Sequence, residues 1–267
     1  MTKILTFTRH HPVGFVILLT ILWVVLLLIL IGAAPVVFHR PIGDSFTISI
    51  GRLVVTACVL IILGRLGWLK DSGTFKLGEL QVWLITLVGL LYFASASLWA
   101  FLGKVTFEFS GLLHQPEAQA VVLTHFITAL SEEVMFRGLV LFSLTRAWGK
   151  TDFGTLWSVL LTSGLFALLH VSQVFTSGTS INSSLILVLQ TILISLWWGG
   201  LVVKGGSIWP AVLFHFVGNV VVALQSLIMP LVAPVTLAYT SLLWFSLPLG
   251  LFTIVWLVKR KKGMGGD

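Results

Sequence analysis

Runs of about 20 apolar residues recur along this chain of 267 residues and constrain its fold more than any other feature. A run of that length is what an α-helix needs to cross the hydrocarbon core of a bilayer. Charged residues are 9% of the sequence, against about a quarter in soluble globular domains. We therefore predict an integral membrane protein.

Eight such runs predict eight transmembrane helices and an all-α fold class. No polar block is long enough for a soluble domain, so residues 1–267 are interpreted as a single transmembrane domain. Residues 103–117 form an amphipathic stretch expected at the membrane interface, and residues 177–184 are a loop by composition. The predicted spans are residues 13–34, 48–66, 82–102, 118–142, 156–175, 185–203, 207–229 and 237–257.

The basic residues are distributed unevenly between the two sides of these spans. With a cytoplasmic amino terminus, twelve of the sixteen lysines and arginines fall on the cytoplasmic side, as the positive-inside rule requires. Arg40, Arg52 and Lys104 fall outside, and Arg52 is expected to extend its side chain to the interface. Both termini are therefore predicted to be cytoplasmic. This distribution also explains the net charge of +7 without nucleic-acid binding, which we do not expect.

The fourth predicted span carries two adjacent acids and an arginine, Glu132, Glu133 and Arg137. Ionisable residues are costly within the bilayer and usually mark function. Residues four apart share a helix face, so Glu133 and Arg137 are predicted to pair. Glu132 points about 100° away from Glu133 and has no obvious partner. We expect one acid to be structural and the other to be free for chemistry.

Two further pairs of residues lie one helical turn apart within predicted spans. Phe166 and His170 belong to the fifth span, and His215 and Asn219 belong to the seventh. Together with Glu132 they offer a carboxylate to activate water, two imidazoles and an amide donor. These are the groups that hydrolysis of an acyl bond requires.

These residues resemble the motifs of the CPBP family, the intramembrane CAAX proteases and bacteriocin-processing (Abi) proteins. Residues 132–137 match EExxxR, residues 166–170 match FxxxH, and residues 215–219 match HxxxN, in the order of the family. The residues 205–211 before the third motif are also similar to family sequences. The likeness covers residues 118–222, which are expected to form the catalytic core.

The resemblance implies an intramembrane endopeptidase, similar to the type II CAAX prenyl endopeptidases. By resemblance, Glu132 is the general base that activates a water molecule, and Asn219 donates a hydrogen bond to the oxyanion. His170 and His215 position that water or hold a metal that carries it.

The supporting residues are likewise given by the resemblance. Glu133 and Arg137 brace the site, and Phe166 packs beside it, with about eight helices enclosing a polar intramembrane cavity. The implied substrate is a peptide or a membrane-anchored protein, either prenylated or carrying a leader. A bacterial plasma membrane is the expected location.

Metal dependence and two other functions stay open at this point. The family is often classed with the metalloproteases, and His170, His215 and Glu132 are the ligands if zinc binds, but the HExxH pattern of zincins is absent. The sequence slightly favours a water held by hydrogen bonds, and the cofactor is unknown. A non-proteolytic immunity or scaffolding protein on the same fold, or a small proton-coupled transporter, are the alternatives.

Overall fold

The computed structural model describes residues 2–101, 116–151, 153–171, 181–228 and 235–259. All regular structure within these ranges is helical, so the predicted all-α class is confirmed for them. The helices are α1 (Thr2–His10), α2 (Pro12–Phe38), α3 (Ser45–Arg65), α4 (Leu80–Phe101), α5 (Pro116–Glu133), the π-helix (Val134–Leu141), α6 (Phe142–Trp148), α7 (Gly154–His170), α8 (Ile181–Gly205), α9 (Trp209–Ile228) and α10 (Val235–Lys259).

Three of the described helices are long and apolar enough to cross a bilayer, namely Pro12–Phe38, Ser45–Arg65 and Ser184–Gly205 within α8. Four shorter apolar segments fall at other predicted spans: Leu80–Phe93, Gly154–His170, Trp209–Val221 and Leu243–Val258. The fourth predicted span is not among either group and carries Glu132, Glu133 and Arg137.

The stretch 177–184 was expected to be a loop, but α8 begins at Ile181, so its last four residues are helical. The polar residues there suited a loop by composition, whereas in the structure they form the first turn of a long helix. The amphipathic stretch 103–117 lies almost entirely outside the described residues, apart from the start of α5.

Helix α3 begins after Asp44, whose carboxylate caps its first turn. The Asp44 carboxylate accepts hydrogen bonds from the hydroxyl and the backbone N–H of Thr47. These bonds, with a smaller contribution from the Arg40 guanidinium, hold the pKa of Asp44 below its ordinary value. The capped helix carries Arg52 two turns further along the chain.

Helix α8 packs most extensively against α10 and α7. Two consecutive glycines allow the close approach: a Cβ on Gly199 would lie 2.8 Å from Val159 of α7, and one on Gly200 would lie 2.6 Å from Thr253 of α10. Small residues of this kind allow membrane helices to approach closely. Helix α5 packs between α3 and α9, and the end of it that carries Glu132 and Glu133 is buried.

The loop between α3 and α4 packs against the turn between α8 and α9, and we call this the loop–turn contact (residues 73–78 with residues 205–209). The backbone N–H of Ile208 donates to the Gly73 carbonyl at 3.2 Å, and the indole N–H of Trp209 donates to the Thr74 carbonyl at 3.0 Å. The Ser207 hydroxyl donates to the Lys76 carbonyl. These bonds fix where α9 begins, and His215 lies six residues later.

Candidate active site

The acidic pair ends α5, and the backbone then changes from an α-helix to a π-helix over Val134–Leu141. All eight π-helical residues are buried. A π-helix is rare, and short π-helical segments often occur at functional sites. Hydrophobic periodicity does not predict it, because it shifts the helical register without changing composition.

Glu133 and Arg137 form the ion pair that their spacing predicted. Glu133 Oε2 lies 3.1 Å from Arg137 Nε, and both side chains are at most 1% exposed. Arg137 Nη2 also donates to the Ser195 hydroxyl of α8 at 2.8 Å and to the Ser195 carbonyl at 3.3 Å. The Glu133–Arg137 pair therefore joins α5 and the π-helix to α8.

Glu133 also contacts the histidine of the third motif. His215 Nδ1 lies 2.9 Å from Glu133 Oε1, and both groups are buried. A carboxylate only accepts a hydrogen bond, so Nδ1 carries a hydrogen and donates it to Glu133, and in the neutral form of the ring Nε2 is the acceptor nitrogen. That free nitrogen lies 3.7 Å from Glu132 Oε2, which is too long for a direct hydrogen bond.

Glu132 has an ion-pair partner, so the expectation that it lacks one is wrong. Its Oε1 lies 2.8 Å from Arg52 Nη1 of α3, and the two side chains are only 11% and 16% exposed. The expectation that Arg52 extends to the interface is wrong for the same reason. Helical spacing reveals partners on one helix only, and this partner comes from another helix 80 residues earlier.

A charged network therefore crosses four helices and the π-helix. It consists, in order of contact, of Ser195, Arg137, Glu133, His215, Glu132 and Arg52.

Aromatic side chains pack around this network. The Phe166 ring lies 5.8 Å from the His215 ring and 5.0 Å from the His170 ring, and the Arg137 guanidinium lies 4.9 Å from its centre. Trp198 of α8 stacks on His215 at 4.2 Å with an angle of 16° between the rings. These contacts hold the imidazole of His215 on two sides.

His170 lies at the carboxyl end of α7, beside Phe166. Its Nδ1 lies 3.2 Å from the Phe166 carbonyl, which leaves Nε2 available to another partner. The ring is close enough to Glu132 and His215 to interact with both electrostatically. The structure thus brings the second motif to the first and third.

Asn219 lies one turn after His215 on α9 and is half-buried. Its side chain makes none of the hydrogen bonds that join the other motif residues in the part of the chain described. Its position beside His215 agrees with the predicted spacing, and its role stays a prediction.

The three predicted metal ligands do not fit a metal as they stand. Glu132, His170 and His215 do not form a group that could hold an ion, and no other group of three such residues does so among the described residues. The Glu132 carboxylate instead lies against the Arg52 guanidinium, a cation where a metal ion would have to bind.

A cavity of about 240 Å³ reaches Arg137 from the side of the loop after α3. Asp71, Ser72 and Thr145 are among its lining residues, whereas Glu132 and the two motif histidines are not. The predicted polar cavity around Glu132 stays a prediction.

Three residues of the site were not singled out from the sequence as part of it: Arg52, Ser195 and Trp198. The only signal for Arg52 was its position as an arginine inside an apolar run, which an interfacial location also explains. Ser195 and Trp198 are ordinary residues of a membrane helix, and only the packing of α8 places them beside Arg137 and His215.

Residues 114–221 match the family model described as Rce1-like, Type II CAAX prenyl endopeptidase Rce1-like. Comparisons with curated proteins and with solved structures gave no match. The matched segment contains all three motifs and every residue of the charged network except Arg52. The match covers residues 114–221 of the 267, and over that segment the resemblance to the CPBP family is confirmed.

Proposed function

We propose that this protein is an intramembrane endopeptidase in which Glu132 activates a water molecule. The observation that carries the proposal is the 3.7 Å separation between Glu132 Oε2 and His215 Nε2. Both atoms are hydrogen-bond acceptors when His215 is neutral and its Nδ1–H donates to Glu133. A polar separation of this length suits a bridging water, and a water between two acceptors donates both of its protons.

A water held in this way presents an oxygen lone pair to a substrate. Its oxygen adds to the peptide carbonyl carbon as one proton passes to Glu132, giving a tetrahedral intermediate with a negative oxygen. Glu132 then returns that proton to the amide nitrogen, the C–N bond breaks, and a carboxylic acid and an amine leave. General acid–base catalysis of this kind contributes about 10²–10⁴-fold to the rate.

The other motif residues support that reaction. Asn219, one turn from His215, donates a hydrogen bond to the oxyanion, a contribution of about 10²–10³-fold in other hydrolases. His170, with its Nδ1 turned to a backbone carbonyl, offers Nε2 to the water or to the substrate. Glu133 and Arg137 set the tautomer and the position of His215.

The chain is proposed to be one membrane domain of about eight spans, with both termini in the cytoplasm of a bacterium. The match to a CAAX protease family suggests a peptide or protein substrate in a membrane. A prenylated carboxyl-terminal peptide is the first candidate, and a leader peptide on a membrane-anchored protein is the second.

The test is proteolysis by the purified protein in liposomes. The substrates are a farnesylated CAAX peptide, the same peptide without the lipid, and a membrane-anchored protein with a leader peptide. We expect cleavage that Glu132→Gln reduces at least about 10²-fold, with His170→Ala and His215→Ala also impaired. Asp71→Asn is the matched control, because Asp71 lies beside the cavity at Arg137 and outside the charged network.

Substrate identity can be approached without a candidate peptide. Membrane proteomes of cells with the wild-type protein and with Glu132→Gln are compared for fragments present only in the former. Cleavage that survives Glu132→Gln would overturn the proposed base. A cellular function that persists in the Glu132 and His170 variants would instead indicate a non-proteolytic protein.

A further inference from the structure

Arg52 lies outside the matched segment 114–221 and outside all three motifs, yet it contacts the proposed general base. Its guanidinium Nη1 is 2.8 Å from Glu132 Oε1. Helix α3 is also tied to the acidic helix by the Ser131 hydroxyl, which donates to the Arg52 carbonyl at 3.3 Å. The side chain that precedes Glu132 and the Glu132 carboxylate are therefore both in contact with Arg52.

The contact joins Arg52 Nη1 to Oε1, one of the two carboxylate oxygens of Glu132. Oε2 is left facing His215 Nε2.

The charges around Glu132 come from each element packed against it. Arg52 lies on α3, His215 on α9 and His170 on α7, and His125 of α5 is also close enough to interact electrostatically. Glu133 has Arg137 as its own partner. Arg52 is therefore the arginine in contact with Glu132.

We propose that Arg52 is a positioning residue for Glu132. It holds Oε1 so that Oε2 faces His215 across the space for a water, and it balances the charge of a carboxylate that must stay ionised to accept a proton. This inference rests on the proposed function, since it concerns how the base of that reaction is held.

The experiment compares Arg52→Gln and Arg52→Lys with the wild type on the peptide found to be cleaved. Arg52→Gln is expected to lower kcat about 10–100-fold, the range seen when a group that orients a functional side chain is removed, with KM changed less than about threefold. Arg52→Lys keeps the charge and is expected to retain kcat within about threefold of the wild type. Arg40→Gln, which breaks an exposed arginine–aspartate pair before α3, is the control and should leave kcat unchanged.

Several results would overturn the positioning role: kcat of Arg52→Gln within twofold of the wild type, a change confined to KM, or no recovery in folded Arg52→Lys. Should Arg52→Gln fold poorly, Arg52→Lys and the double variant Arg52→Gln/Glu132→Gln, which removes both charges, allow the thermal midpoints to be compared. Midpoint effects of the single variants that simply add in the double variant would show that the two residues are not coupled. Failure of the proposed function looks different, because the wild type and Glu132→Gln would then be equally inactive.

Discussion

Two regions of this apolar protein bury polar groups, and they do so by different means. The charged network uses two glutamates, two arginines, a histidine and a serine, joined across four helices and the π-helix. The loop–turn contact instead uses backbone groups, one serine hydroxyl and one indole N–H, all of them neutral. Both regions join segments that are more than 50 residues apart in sequence.

The difference between the charged network and the loop–turn contact indicates why charged residues are buried in one region and not in the other. Neutral hydrogen bonds satisfy buried polar groups at little net cost, whereas burying an ionised group costs several kcal/mol before its partner compensates. The loop–turn contact shows that the protein can join distant segments without charge. The buried charged residues Glu132, Glu133 and Arg137 instead lie together at the first motif, where the proposed reaction would move a proton.

The largest expected effect is that of cutting the charged network at Arg137. Arg137→Ala leaves Glu133 buried without its cation, which costs about 3–5 kcal/mol in comparable pairs. We expect a large loss of yield and a lower thermal midpoint in detergent. Asn219→Ala is the control, since Asn219 is half-buried and uncharged. Equal yields of the two variants would contradict the structural role of the Glu133–Arg137 pair.

We expect Gly78→Ala to break the loop–turn contact and to affect stability but not catalysis. Gly78 has a φ of +80°, and a Cβ there would lie 2.7 Å from Ser207 Cβ and 2.8 Å from the Gly205 carbonyl oxygen. Gly43→Ala is the matched control, because its φ is +83° but nothing lies within 4 Å of the new Cβ.

The left-handed backbone costs both alanine variants about 1–2 kcal/mol, and overpacking adds about 1–3 kcal/mol to Gly78→Ala alone. We expect a lower thermal midpoint and yield for Gly78→Ala but unchanged kcat per folded molecule. Equal midpoints for the two variants would show that the loop is not held against the turn.

A smaller effect is expected at the edge of the charged network. Trp198→Leu removes the ring stacked on His215, and such a contact is worth about 0.5–1.5 kcal/mol. We expect kcat/KM to fall about three- to tenfold. Trp197→Leu is the control, since its ring is as deeply buried but packs on Phe214 and Phe252 instead. Equal losses would mean that Trp198 acts only through packing.

The smallest effect is expected where charge lies at the surface. The lowered pKa of Asp44 means that its ionised form stabilises the start of α3 at neutral pH. This contribution is present above the ordinary value of 3.8 and is lost as the pH falls through the lowered pKa. Thermal midpoints of the wild type and Asp44→Asn should therefore differ slightly at pH 7 and converge toward pH 3. A difference that grows in acid would contradict the cap.

Much of the fold and part of the site were predictable from the sequence. Apolar runs gave the helices: the spans predicted at 13–34 and 48–66 correspond to Pro12–Phe38 and Ser45–Arg65. Spacing of four residues gave the Glu133–Arg137 pair, because neighbours on one helix face are fixed by helix geometry alone. The three motifs gave the family resemblance.

Contacts between helices were decided only by the tertiary structure. Arg52 and Glu132 are 80 residues apart, and no periodicity within either helix indicates that they meet. The same holds for Ser195 at Arg137, for Trp198 on His215, and for the tautomer that Glu133 imposes on His215. A sequence sets which face of a helix is polar, since that depends on local geometry. Which partner that face meets depends on how all the helices pack, and here packing gave Glu132 an arginine from α3.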